Sequence, residues 1–353
     1  MRMAVLVTGG AGYIGSHMVW ELLDHGEDVV VLDRLSTGFA WAIPSEAKLV
    51  IGDIADQTLV RTIIRRHHID AVIHFAGSVV VPDSIADPLG YYSNNTSKSR
   101  DLIEAVVRAG VKNFIFSSTA AVYGMTSSDP VPETHQLVPE TPYGVSKMMT
   151  ELMLRDTARA HHFRYAALRY FNVAGADPLG RTGQSTAGAT HLVKVAVEAA
   201  IGRRNHIDVF GTDYDTPDGT CIRDFIHVSD LVAAHRLALQ NLRSGADNLV
   251  ANCGYGHGYS VLDLIEAVQK ANGGSFEVRL SPRREGDMPC VIANPARLKR
   301  TLGWVPKFDN IDEIARSSLA WERALTRRNT YYGIESPEPD DWLGVPGRVG
   351  ATK

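Results

Sequence analysis

The sequence predicts an α/β fold, a doubly wound parallel sheet with a second, smaller α/β domain. Three observations carry this. The run Thr8-Gly9-Gly10-Ala11-Gly12-Tyr13-Ile14-Gly15-Ser16 joins an apolar strand-like stretch to a helix-like one. Strand-like and helix-like segments then alternate through the first 170 residues. Their connections are too long for hairpins and the strands are β-branched and apolar, as parallel strands covered on both faces require.

Taken in order, Met3-Ala4-Val5-Leu6-Val7 opens a strand over Ala4–Thr8. Ile14, Met18, Val19, Leu22 and Leu23 recur on one side of a helix over 13–25. Further strands are expected over 29–33, 49–52, 71–75, 114–118 and 166–170, with helices over 58–67, 89–109 and 143–160. Beyond about residue 170 the rhythm breaks. Gly- and Thr-rich loops over 175–188, 211–220 and 254–258 interrupt short helices, which reads as a loop-rich lobe for substrate specificity. The expected division is a first domain over 1–170, with segments at about 198–217 and 231–255 returning to it, and a mainly substrate-binding domain over 171–353. Gly- and Pro-rich residues 331–353 form a tail.

Composition narrows the function classes. Hydrophobic residues make up 44% and charged residues 22%, a soluble globular profile, and the net charge of −4 offers nothing to nucleic acid or membranes. No apolar run reaches the length of a membrane span, and the apolar N-terminus is itself a strand rather than a signal peptide. Three scattered cysteines form neither a disulfide framework nor a zinc set, which fits a reducing cytoplasm. Thirteen histidines invite a metal reading, but neither H-E-x-x-H nor C-x-x-C occurs, so no metal site is expected.

The glycine turn fits a dinucleotide fingerprint both as Gly9, Gly12, Gly15 and as Gly10, Gly12, Gly15. Glycines let the backbone approach a pyrophosphate, and the following helix N-terminus offers free N–H groups and a positive dipole end. Gly patterns alone also serve ordinary turns. Here the strand before, the helix after, and Asp33 about 20 residues on complete a Rossmann fingerprint. A carboxylate at that point accepts the ribose hydroxyls of NAD and repels a 2′-phosphate, whereas the adjacent Arg34 could draw one.

Tyr143 and Lys147 stand four residues apart at the start of a helix and share a face. The pattern alone is weak, and its bland reading is a solvated helix face. A strand ending in Ser117-Ser118-Thr119 and the upstream fingerprint raise it. A phenol titrates near pH 10, but a Lys ammonium and an oxidised nicotinamide both favour the phenolate. Tyr143 could then remove a hydroxyl proton while hydride leaves the same carbon for the cofactor. Thr119 offers a hydroxyl to bridge substrate and Tyr143.

Together, T-G-G-x-G-Y-I-G-S-H, Asp33, Gly52-Asp53-Ile54, His74-Phe75-Ala76-Gly77, Tyr91-Tyr92-x-Asn94-Asn95, the Ser-Ser-Thr119 strand end, Val122-Tyr123-Gly124 and Pro142-Tyr143-Gly-x-Ser-Lys147 resemble the extended short-chain dehydrogenase/reductases. Leu168-Arg-Tyr-Phe-Asn172, Asp218-Gly-Thr-x-x-Arg223-Asp-Phe-Ile-His-Val228 and Pro282-Arg-Arg284-Glu-Gly-Asp287 narrow the resemblance to the UDP-glucose 4-epimerases, over roughly residues 3–325. The resemblance implies a tightly held NAD, a transient 4-keto sugar that rotates in its pocket, and return of hydride to the opposite face. It assigns cofactor contacts to Gly9, Gly12, Tyr13, Ile14, Gly15, Asp33, Asp53, Ile54, Phe75, Ala76, Gly77, Asn94, Ser117, Lys147 and Tyr170. It assigns substrate contacts to Thr119, Tyr143, Asn172, His191, Phe210, Arg223, Arg284, Asp287 and Val291. Two arginines suit a diphosphate, since their forks match phosphate oxygens. It also implies a homodimer built on helices of the first domain.

Four positions depart from the family pattern: Thr119 where many members have Ser, Val79 where a cofactor-contacting Lys is common, His191 for Asn, and Val291 where some members have a Tyr that restricts the sugar pocket. A dehydratase or decarboxylase of the same superfamily needs an acid after the catalytic Thr, and Ala120-Ala121 cannot move protons. A non-catalytic NAD(P)-sensing protein would have no need of an intact Thr119, Tyr143 and Lys147. The sugar stays open among the UDP-glucose, UDP-N-acetylhexosamine and UDP-xylose pairs.

Overall fold

The computed structural model describes residues 3–126, 129–284 and 286–331. Its centre is a seven-stranded sheet in which every neighbouring pair is parallel. The chain begins β1 (Ala4–Thr8), α1 (Tyr13–Asp24), β2 (Asp28–Asp33), β3 (Lys48–Ile51), α2 (Gln57–His67) and β4 (Ile69–His74). There follow α3 (Val81–Ala86), α4 (Pro88–Tyr91), a π-turn over Tyr92–Ser97, α5 (Lys98–Arg108), β5 (Asn113–Thr119), α6 (Pro142–Ala160) and β6 (Arg164–Tyr170). The second half adds β7 (Asn172–Ala174), α7 (Leu192–Ala200), β8 (His206–Phe210), β9 (Ile222–Arg223), β10 (Phe225–His227), α8 (Val228–Arg243) and β11 (Leu249–Cys253). The last elements are β12 (Tyr259–Ser260), α9 (Val261–Asn272), β13 (Glu277–Ser281), β14 (Cys290–Val291), α10 (Ala296–Leu302) and α11 (Ile311–Tyr331).

The sheet order is β11-β6-β5-β4-β1-β2-β3. Strand order reverses between β1 and β4, and a crevice opens there at the carboxyl ends of the strands, where open α/β sheets bind ligands. The strands read as continuous apolar runs because both faces are covered: every residue of β1 and of β5 is buried. One face packs Val5, Val7, Met18, Leu22 and Ile73 with Leu231 and Leu239 of α8. The other packs Leu6, Leu32, Val72, Phe114 and Phe116 with Ile63, Leu102 and Leu154 of α2, α5 and α6.

All six expected strands lie in the sheet. The helix expected over 89–109 is not uniform: α4, the π-turn and α5 share it. The expected irregular second half is corrected as well. It carries long helices, α8 over 16 residues and α11 over 21. Of the segments expected to return to the first domain, 231–255 brings α8 and β11 onto the sheet, whereas β8 within 198–217 pairs with β13. Residues 332–353 of the expected tail lie outside the described residues. Among the described residues no helix is long and apolar enough to cross a membrane, and no group of three or more His, Cys, Asp and Glu could hold a metal.

Candidate active site

The glycine turn is shaped by contact rather than by flexibility alone. Gly9 has φ +71°, and a Cβ there would lie 2.5 Å from the backbone nitrogen of Ala76. A Cβ on Gly15 would lie 2.1 Å from the Gly9 carbonyl. α1 starts at Gly12 with no side-chain cap and no acid in its first turn, so its positive end faces the crevice uncompensated. Tyr13 donates from its hydroxyl to the Gly175 carbonyl at 2.6 Å, and Ile14 packs against the core. At the end of β2, Asp33 accepts from the Ala11 nitrogen at 2.9 Å and the Leu35 nitrogen at 2.8 Å. The carboxylate is thereby fixed beside the glycine turn. These features fit a dinucleotide: a turn with no room for a Cβ at Gly9 or Gly15, an open helix end and an anchored acid at the ribose position.

Asp53, after β3, holds Lys98 at 2.6 Å and Arg34 at 3.3 Å, and accepts from the Ala55 nitrogen. Burial opposes its ionisation, but the Lys98 bond, the Ala55 N–H and the charges of Lys98 and Arg34 together outweigh this and keep its carboxyl below the usual range. Arg34 also donates to Asn94. Phe75, Ala76 and Gly77 follow β4 directly, and Ile54 packs with Ala76 in the apolar cluster. A Cβ on Gly77 would lie 3.0 Å from Asn95 Oδ1 and 3.8 Å from Lys147 Nζ.

The π-turn supplies both asparagines. Asn94 donates to the Ser78 hydroxyl at 2.9 Å. Asn95, a motif residue with no role expected of it, is buried; it accepts from the Ser78 nitrogen and donates to the Ser78 carbonyl and the Ser146 hydroxyl. It ties the loop after β4 to the helix bearing Lys147. An extra residue in a helical turn is a frequent device at functional sites.

Thr119 ends β5, and Tyr143 and Lys147 open α6, whose start is set by the Thr141 cap and Pro142. All three side chains are buried. Lys147 donates to the Ser117 carbonyl at 3.0 Å and stands 5.0 Å over the Phe116 ring. Burial pulls its ammonium down to about 8. Burial pushes the Tyr143 phenol up to about 12, against the opposing hydrogen bond with Thr119. This corrects one expectation: within the chain itself, desolvation rather than Lys147 dominates Tyr143. The Ser117 and Tyr170 hydroxyls are hydrogen-bonded to each other, closing the wall next to Tyr143.

In the second lobe, Phe210, Arg223, Arg284 and Asp287 come together. The Arg284 guanidinium lies 3.9 Å over the Phe210 ring. Asp287 stands 3.8 Å from Arg223 and 3.9 Å from Arg284. Arg223 also donates from Nη1 to the Met288 carbonyl at 2.7 Å, which fixes its guanidinium. A single acid between two forks leaves donors for further oxygens, as a diphosphate requires. Val291 pairs in register with Arg223 and is buried among Val122, Tyr123 and Phe171. Asn172 starts β7 with its side chain exposed. His191 stands apart from the arginine group: it precedes α7 and lines an opening of about 350 Å³ with Tyr13, Gly175, Gln184, Lys194 and Trp321.

The chain matches the NAD dependent epimerase/dehydratase family over residues 5–254. It is 55% identical over 321 residues to a UDP-glucose 4-epimerase of Azospirillum brasilense, covering 91% of this chain and 92% of that one. The chain belongs to the UDP-glucose 4-epimerase family. Solved structures agree with that membership. A UDP-glucose 4-epimerase of Stenotrophomonas maltophila, crystallised with NAD and formylated UDP-arabinopyranose, superposes with a TM-score of 0.90 at 38% identity, over 93% of this chain and 100% of that one. A UDP-Glc/GlcNAc 4-epimerase of Campylobacter jejuni gives 0.81 at 44% identity, over 91% and 99%. Within this family of isomerases the chain is a UDP-sugar 4-epimerase, and the glycine cradle, the Thr119/Tyr143/Lys147 group and the paired arginines are its candidate machinery.

Proposed function

We propose that this epimerase interconverts UDP-glucose and UDP-galactose through a 4-keto sugar, with Tyr143 as the base. The observation that carries the reading is the convergence of Thr119, Tyr143 and Lys147 at the carboxyl end of β5, beside the loop after β4. The cofactor is NAD, held by the glycine turn, Asp33, Asp53 and the loop 75–77. When bound, it supplies a hydride acceptor and donor and a positive ring that favours the phenolate.

Tyr143 then takes the proton of the sugar 4-hydroxyl and returns it after the sugar has turned. Thr119 orients that hydroxyl. Lys147, anchored on Ser117, holds the ribose side of the cofactor and adds its charge when protonated. Arg223 and Arg284 hold the diphosphate, so the nucleotide stays fixed while the sugar rotates. Ala120 and Ala121 place no acid near the sugar, so the proton traffic ends at one carbon.

In Tyr143→Phe, folding and NAD content should be retained and turnover should fall by at least about 10²-fold, as loss of a general base entails. Proton NMR of the anomeric signals measures it, and undiminished turnover would remove Tyr143 from the role.

A second substrate has its own support. Val291 stands where some family members carry a Tyr that restricts the sugar pocket, and the Campylobacter jejuni neighbour is named for both UDP-Glc and UDP-GlcNAc. A UDP-pentose of the UDP-xylose type is the further alternative, since the Stenotrophomonas maltophila neighbour holds a formylated UDP-arabinopyranose. The family's dimer is also proposed here, in a reducing cytoplasm. Ile85, Leu89, Met149 and Leu152 are exposed apolar side chains on α3, α4 and α6, which pack against one another. A second copy covering them removes that surface from water. Leu152→Glu should shift the protein to monomer in gel filtration with the secondary structure unchanged; a wild-type monomer would contradict the dimer.

A further inference from the structure

Behind the Thr119/Tyr143/Lys147 group lies a buried charged pair that the chemistry above does not use. Glu151 and Arg169 are 6% and 5% exposed. Arg169 forks onto the carboxylate, from Nε to Oε1 at 2.9 Å and from Nη2 to Oε2. The Ser118 hydroxyl donates to the same carboxylate. The remaining Arg169 edge donates to the Tyr123 hydroxyl at 3.0 Å, which in turn donates to Asn252 at 2.6 Å, and Asn252 donates to the Val131 carbonyl. Every member of the chain has a partner, which a buried polar network requires if it is not to weaken the fold.

The arrangement has a register. Tyr143, Lys147 and Glu151 are spaced by four on α6 and share one face. Three consecutive residues of β5 meet them: Thr119 meets Tyr143, the Ser117 carbonyl meets Lys147, and the Ser118 hydroxyl meets Glu151. Arg169 lies opposite Ser118 on β6. Desolvation of two charges consumes most of what their attraction returns, so such a pair adds little net stability; its best-attested use is to fix register. Here the register is that of the helix bearing the base against the strand bearing Thr119.

We propose that Glu151 and Arg169 are positioning residues of the epimerase: their buried fork locks α6 along its axis and sets how the Tyr143 phenol meets Thr119. This rests on Tyr143 being the base.

The test compares Glu151→Gln and Arg169→Lys with Tyr143→Phe in the purified holoenzyme. Glu151→Gln keeps the shape and loses the charge, while Arg169→Lys keeps the charge and loses the fork. Readouts are kcat and KM for UDP-glucose, the pH dependence of kcat/KM, bound NAD and Tm. In both variants kcat should fall about 10- to 100-fold, the scale of a small misplacement, with KM within about twofold and NAD retained. The acid limb of kcat/KM should move to higher pH, because a displaced phenol ionises less readily. Ser118→Ala should show the same pattern more weakly, and it decides by the same criteria if the charge variants do not fold. A lower Tm with kcat and the acid limb unchanged would overturn the proposal, as would a loss confined to KM. Tyr143→Phe separates the two assignments. Wild-type turnover there fails the base itself; lost turnover there, with Glu151 and Arg169 variants fully active, fails the positioning role alone.

Discussion

Arg34 follows Asp33, the acid proposed to hold the ribose, and could have drawn a 2′-phosphate, yet its guanidinium is engaged by Asp53 and Asn94. Asp33 is meanwhile fixed by two backbone donors. The pair thus favours NAD, an outcome the sequence left open because it placed Arg34 next to Asp33 without showing which way it turned. Val291 is the residue proposed to govern sugar choice. It packs in an apolar cluster, so Val291→Tyr adds bulk at a filled site and should cost about 1–3 kcal/mol of stability. Rejection by overlap should at the same time abolish turnover of UDP-N-acetylglucosamine while sparing UDP-glucose. Measuring kcat/KM for both sugars in both proteins checks this; an equal effect on both, or no wild-type activity on the N-acetylated sugar, would show that Val291 is not the gate. The site residues carried by contiguous motifs were legible: Gly9, Asp33, Thr119, Tyr143 and Lys147 each have a local reason to be where they are. Asn95, Glu151 and Arg169 were not, because their meaning lies in contacts across 51, 33 and 18 residues of chain. A buried Glu in an amphipathic helix reads, in one dimension, as a solvated face.

At the scale of elements, the first six strands and the helices α1, α2 and α6 could be read to within a residue or two, since β-branched runs and helical spacing are local signals, whereas the six-residue α3 could not. The π-turn could not, because one inserted residue leaves the apolar period nearly intact. Nor did the sequence reveal α11, whose role is long-range. Trp321 of that helix lies on Gly183, where a Cβ would approach its ring to 2.3 Å, and it donates to Ser185 at 3.2 Å. Arg328 stands 5.1 Å over both Trp41 and Trp321 and donates to the Arg181 carbonyl. The segment so held reaches α1, where the Thr182 and Ser16 hydroxyls are 2.7 Å apart. α11 thereby presses a loop of the second lobe onto α1, the helix proposed to receive the pyrophosphate. Trp321→Ala should destabilise by about 3–5 kcal/mol and release NAD during gel filtration. Full NAD retention despite a lowered Tm would show that the clamp serves the fold only.

For the molecule as a whole, the two lobes share one core: α8, from the second half of the chain, covers the same face as α1. Buried imidazoles are spread through the molecule. Burial pulls His17 and His235 down to about 4 and His74 and His227 to about 3. Unfolded, they bind protons near pH 6.5, so between that value and pH 3–4 the unfolded chain holds more protons than the folded one. Stability should therefore fall as pH drops through this window. Asp224, raised to about 6 by burial, opposes the trend only in part. Tm measured from pH 7 to 4 checks this, and a flat profile would contradict it. The central claim concerns one hydrogen at one carbon. UDP-glucose carrying deuterium at C4, incubated with the purified protein and no added cofactor, should yield UDP-galactose with the deuterium still at C4 by NMR. Absence of the epimer, or its appearance with C4 deuterium lost to water, would contradict the account.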